Sequence, residues 1–160
     1  MAPVRKRTVF LLPAAALLIF AAWMLWPRSL GADPEIRGNV SALIITSGVE
    51  NSQPYQDLEE YSLDADSPEA EALREILNRY SYHLCPDSLT AEDSISGIGS
   101  LSVTLYDPQD AEREFDVYSG TGKIWLNGRI VRLDYFGNGR AEALSRELAN
   151  LLRGESGVAN

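Results

Sequence analysis

The chain has 160 residues, and its 14 basic and 23 acidic side chains leave a net charge of −9 at neutral pH. Three of the cations, Arg5, Lys6 and Arg7, stand at the very start, so the part after Pro27 holds 11 basic against 23 acidic residues, a net charge of −12. A body that acidic repels phosphate backbones and excludes nucleic acid as a partner, while a single cysteine, Cys85, excludes an internal disulfide.

The first element is an apolar run without a charge from Val9 to Trp26. As a helix its 18 residues reach about 27 Å, close to the ~30 Å hydrocarbon core of a bilayer. The run is longer than a cleaved signal's apolar region and closes on Trp23, Trp26 and Pro27, aromatics suited to the outer interface. The expectation is an uncleaved transmembrane signal-anchor; Ser29-Leu30-Gly31-Ala32 is the competing cleavage site. The three cations in front place the N-terminus in the cytoplasm and the body outside the cell membrane, as a single-pass protein. A lipid-modified N-terminus is excluded, because no cysteine follows the run.

Residues 28–38, with Gly31, Asp33-Pro34 and Gly38, read as a short linker. Val40 to Thr46 is rich in β-branched residues between turn signals and reads as a first strand, buried at Leu43 to Ile45. The stretch from Val49 to Leu63 is polar and acidic, with at most a short strand at Tyr61–Leu63. Ser67 followed by Pro68, Glu69 and Glu71 is a helix start, and Ala70, Leu73, Leu77, Tyr80 and Leu84 extend one apolar stripe to about Tyr82.

After a loop containing Asp93, Gly97 and Gly99 the period changes to two: Leu101, Val103 and Leu105 alternate with Ser102, Thr104 and Tyr106. Phe115 and Val117 continue the buried face in the next strand and Ile124 and Leu126 in the one after. Asn127-Gly128 signals a type I′ hairpin that sets Ile124 opposite Val131, Leu126 opposite Arg129 and Trp125 opposite Ile130. Arg140 to Arg153 is a second amphipathic helix, with Ala141, Leu144, Leu148, Leu151 and Leu152 on its inner stripe, stopped by Gly154.

The expected fold class is thus α+β: an N-terminal transmembrane helix, then an antiparallel β-meander with two helices packed on one face. The divisions are a stub and anchor over 1–27, the linker, an extracytoplasmic domain over 39–154 and a frayed tail over 155–160.

Chemistry is mostly excluded. One histidine, His83, removes multi-histidine metal sites, and His83-Leu84-Cys85 reads as a histidine favoured at a helix C-terminus beside a small buried thiol. Asp64-Ala65-Asp66 fails as a calcium loop, since positions five, six and twelve hold Pro68, Glu69 and Glu75. Gly120-Thr121-Gly122-Lys123 ends like a phosphate loop, but leads into a strand and lacks the following Ser/Thr. No cofactor is implied. What is left is a candidate interaction surface: Tyr106, Tyr118, Trp125 and Ile130 alternate onto the face of the sheet away from the helices, where they suit an envelope protein or a glycan.

The helix Pro68 to Asn78, the alternating strand Leu101 to Tyr106 ending in Asp107, the segment Lys123-Ile124-Trp125-Leu126-Asn127-Gly128-Arg129 and the closing leucine-rich helix resemble small membrane-anchored extracytoplasmic domains of Gram-positive bacteria. The resemblance covers Val40 to Arg153 and implies an architecture and a compartment, and no catalytic residue.

The resulting expectation is a membrane-tethered binding or regulatory module and not an enzyme. Its contact surfaces are the aromatic face and the acidic stretch Asp57 to Glu71. Two alternatives stand beside it: a small envelope hydrolase using carboxylates such as Asp107, Asp110 and Glu112, and a structural subunit of a membrane complex acting through the anchor.

Overall fold

A computed structural model describes residues 7–32, 39–90 and 101–154, with the side chains of 7–12, 32 and 111–113 set aside. The stub cations Arg5 and Lys6, the linker residues 33–38, the loop with Asp93, Gly97 and Gly99, and the tail 155–160 lie outside the described residues, as does the side chain of Glu112.

The domain is α+β and its strands pair antiparallel throughout. Strands β2 (Val40–Glu50), β3 (Gln53–Leu63), β5 (Leu101–Asp107), β6 (Asp110–Tyr118), β7 (Lys123–Leu126) and β8 (Ile130–Arg132) form a six-stranded sheet in the order β3-β2-β5-β6-β7-β8. The rows Ala42–Leu105–Phe115–Leu126 and Ile44–Val103–Val117–Ile124–Val131 are the buried face predicted by the period-two pattern. Helices α2 (Pro68–Arg79) and α3 (Gly139–Leu152) pack together on this core, and α3 lies against β5 and β6. Ser67 caps α2 as expected, its hydroxyl accepting from the Ala70 N–H at 3.1 Å. The hairpin register is also as read, with Asn127 and Gly128 both at positive φ.

Three local expectations are corrected. The acidic stretch after Val49 is an eleven-residue edge strand, paired along its whole length with β2 through a tight turn whose Asn51 and Ser52 both have positive φ. Its charges sit on an edge, where they hinder pairing with a further chain. Helix α2 stops at Arg79, because Tyr80 turns extended and Ser81–Tyr82 becomes strand β4. That strand pairs with β1 (Arg28–Ser29), so the supposed linker enters the domain at its first residue.

Leu30 is fully buried in the core, at the start of a 3-10 turn over Leu30–Ala32, and its N–H donates to the Tyr80 carbonyl at 2.9 Å. Gly31 fits here because a Cβ would stand 2.1 Å from the Asn78 carboxamide oxygen on α2.

Helix α1 runs over Arg7–Leu25. Among the described residues no helix is long and apolar enough to cross a membrane. From Pro13, the first of its residues whose side chain is described, to Leu25 the helix reaches only about 20 Å, and the side chains of Val9 to Leu12 lie outside the described residues.

Candidate functional site

The alternation that buries Phe115 and Val117 turns Glu114, Asp116 and Tyr118 to the opposite face of the sheet. The cross-strand row there reads Leu43, Thr104, Asp116, Trp125, Ile130, and its neighbour places Ser41, Tyr106 and Glu114 in line. Tyr106, Tyr118 and Trp125 are therefore on one face, each half-buried, as the sequence predicts. Tyr106 is paired with Glu114, which stands four residues from Tyr118, so the two tyrosines are roughly 13 Å apart along the strands. They bracket Asp116 without stacking on each other.

Ile130 does not belong to this surface. It is buried, at the sheet edge where a 3-10 turn over Pro86–Leu89 packs against β8. The Ser88 hydroxyl donates to the Ile130 carbonyl, and the buried Cys85 thiol lies 3.9 Å from the same oxygen. Asp87 on that turn pairs with Lys123 at 2.5 Å.

At the centre of the face Asp116 Oδ2 accepts from the Tyr118 hydroxyl at 3.3 Å, while its Oδ1 is buried with no hydrogen-bond partner. Burial pushes this carboxyl above the usual aspartate range, against hydrogen bonds from Thr104 and Tyr118 that favour the charged form. Glu114 is raised by burial and by the nearby Asp116 charge. Burial, reinforced by Asp116, pushes Tyr118 up to about 12. The face is thus two aromatic flanks around a pair of acids that hold their protons more tightly than free carboxyls do. Sequence reasoning missed Glu114 and Asp116, although an acid between two buried residues in mid-strand is a readable signal.

The other sequence-level candidates separate from this face. Asp107 and Asp110 pair at the β5–β6 turn. His83 is not at a helix terminus: its backbone bridges to Arg132, its ring stacks on Tyr135 at 4.2 Å, and burial followed by Arg132 pushes its pKa below the ordinary histidine value. Among the described residues no group of three His, Cys, Asp or Glu side chains is arranged to hold a metal ion. At the far edge Glu59 is bound by Arg153 and accepts from the Tyr61 hydroxyl at 2.6 Å, and these contacts bring its pKa down to about 2.

A surface cavity of about 350 Å³ lies where α1 meets the β7–β8 hairpin, between Trp23, Arg28, Asn127 and Arg129. The Arg28 guanidinium donates to the carbonyls of Trp26 at 3.3 Å and Trp23 at 3.0 Å, and rests 5.6 Å from the Trp23 ring.

No protein-family model matches this sequence, and neither the curated proteins nor the solved structures contain one significantly similar to it.

Proposed function

We propose that the protein is a single-pass, membrane-anchored extracytoplasmic binding or regulatory module, with its N-terminus in the cytoplasm and the aromatic face around Asp116 as its contact surface. The observation that carries the membrane part is the exposure of α1: Leu17, Leu18 and Ile19 are 68%, 72% and 71% exposed, with Phe20, Trp23 and Leu25 also open. Among its described side chains only Met24, near its end, is buried against the domain; an apolar helix whose other described large side chains stand open is stable in lipid and a liability in water. The sequence continues the apolar run to Val9 and puts Arg5, Lys6 and Arg7 before it, the arrangement that keeps a short N-terminal stub inside.

The contact face is supported by its chemistry. Tyr106, Tyr118 and Trp125 give flat, half-buried rings, and the tyrosine hydroxyls and the acids give hydrogen-bonding groups between them. An envelope protein or a glycan fits such a face, and nucleic acid does not.

The test is crosslinking in intact cells with the wild-type chain and with Trp125→Ala combined with Tyr118→Ala. The reading expects the double variant to stay in the membrane and to lose its crosslinked neighbours. Unchanged neighbours would remove the face from the proposal.

A second reading is favoured by one observation, the adjacent raised carboxyls of Glu114 and Asp116: a small hydrolase would use them as an acid and base pair. The two surface cavities described, one beside Arg28 and one over Ala72, Ile76 and Arg79, are lined by other residues than that pair.

A further inference from the structure

We infer that the β8 edge of the domain is a foot that grips phospholipid, with the lipid phosphodiester held in the cleft between Arg28 and Arg129. The inference rests on the anchor reading of α1 and adds which edge of the domain stands on the membrane.

The strand order puts β8 and β3 at opposite edges of the sheet, five strand spacings or about 24 Å apart. Helix α1 joins at the β8 side: the Leu84 N–H donates to the Met24 carbonyl at 2.9 Å, and the Tyr135 hydroxyl to the Leu25 carbonyl at 2.8 Å. Charge follows the same axis. Arg28 and Arg129 line one cavity with Trp23 of α1 and Arg132 lies on β8, an edge where Asp87 is neutralised by Lys123 and Asp134 is buried, accepting from the Arg140 and Ala141 N–H groups. Asp57 and Glu60 lie on β3 at the other edge, where Glu59 is neutralised by Arg153, with Asp64, Asp66, Glu69 and Glu71 following before and in the first turn of α2. The net charge of the domain therefore hides a basic foot and an acidic crown, and the repulsion expected from the total is reversed where the chain meets the bilayer.

The cleft itself fits a phosphodiester. Two of the five N–H donors of Arg28 go to the backbone carbonyls of Trp23, in the last turn of α1, and of Trp26 just after it, and fix the guanidinium in place, leaving the others for a ligand. Arg129 is exposed, and while its backbone closes the hairpin with Leu126, its guanidinium has no hydrogen bond or ion pair among the described residues. Two guanidinium groups converging on one cavity suit a phosphate oxygen pair. Leu126 and Val131 give the cavity an apolar wall.

The source is a lipid and not free phosphate, because the cleft opens beside Trp23 and the exposed Leu25 and Trp26, along which acyl chains can lie. Half-exposed Tyr135 and the 94% exposed Phe136 sit at the same edge and suit the headgroup layer.

The experiment is native mass spectrometry of the full chain purified from membranes in mild detergent, counting retained phosphatidylglycerol. Arg129→Ala is expected to retain about fivefold less lipid and Arg129→Glu less still, with unfolding transitions unchanged since Arg129 is exposed. Arg28→Gln should act in the same direction. Excess inorganic phosphate should leave the bound lipid in place. Equal lipid retention by wild type and both Arg129 variants would overturn the inference and leave the anchor standing. Displacement by inorganic phosphate would overturn it too, by showing a generic anion site. A chain that alkali releases from membranes would fail the anchor reading, and the inference with it.

Discussion

Leu30→Ala tests whether the domain is built onto the end of its helix or hangs from it. Leu30 is fully buried, its N–H is fixed to the Tyr80 carbonyl at 2.9 Å, and β1 just before it is paired with β4. The next residue, Gly31, already lies against Asn78, so α2 cannot move closer to fill a void. A buried Leu→Ala change costs about 2–5 kcal/mol, and a pinned backbone places this one at about 3–4 kcal/mol. Against the ~5–15 kcal/mol stability of a domain this size, that is a large fraction. With a urea slope near 1.5 kcal/mol per molar, the midpoint should fall by roughly 2 M. The assay is urea unfolding of the full chain in detergent, followed by near-ultraviolet circular dichroism. Phe136→Ala, at an exposed loop tip, is the control and should stay within about 0.5 kcal/mol of wild type. If Leu30→Ala also stays within that range, the segment after Pro27 is a plain linker and the junction described above is wrong.

Asp116→Asn should make the domain about 1 kcal/mol more stable at pH 7, because the native state buries a charge there with one oxygen unpaired. Since burial raises this carboxyl above its unfolded value, its ionisation costs stability as pH rises through that window. The difference between variant and wild type should accordingly vanish at acid pH, and equal stability curves throughout would refute the assignment. Glu59 has the opposite sign. Lowered to about 2 by Arg153 and Tyr61, it contributes stability that is complete above the ordinary glutamate range and lost as pH falls towards 2. Arg153→Ala should move the acid-unfolding midpoint upward, and an unmoved midpoint would show the pair to be incidental. The buried Cys85 thiol should react with a thiol reagent only as the domain unfolds, so a rate in buffer equal to that in urea would contradict its placement.

Local signals in the chain were reliable where one segment determined its own structure. Ser67-Pro68 capped a helix, Asn127-Gly128 set a hairpin and its register, and the alternation from Leu101 placed one face of the sheet in the core. The misreadings are places where a distant partner decided. Strand β3 has a mostly exposed, acidic surface, and only the backbone of β2 makes it a strand. The apolar stripe through Tyr80 and Leu84 continues at helical spacing, yet pairing with Arg28–Ser29, some fifty residues earlier, straightens the chain after Arg79. Ile130 alternates onto the aromatic face by its register, and the packing of Pro86–Leu89 against β8 is not visible in the local pattern. Asp116 was legible in principle, as an acid between Phe115 and Val117, but its buried, half-satisfied state depends on Thr104 and Tyr118 reaching it across and along the sheet.

The most direct test of the central claim is topology in intact cells. A cysteine placed at Asn51, on the exposed β2–β3 turn, in a Cys85→Ser background should react with a membrane-impermeant maleimide without lysis. One placed at Ala2 should react only after lysis, and alkaline washing should leave both proteins in the membrane fraction. Labelling of Asn51→Cys only after lysis, or release of the chain by alkali, would contradict an anchored domain facing outward.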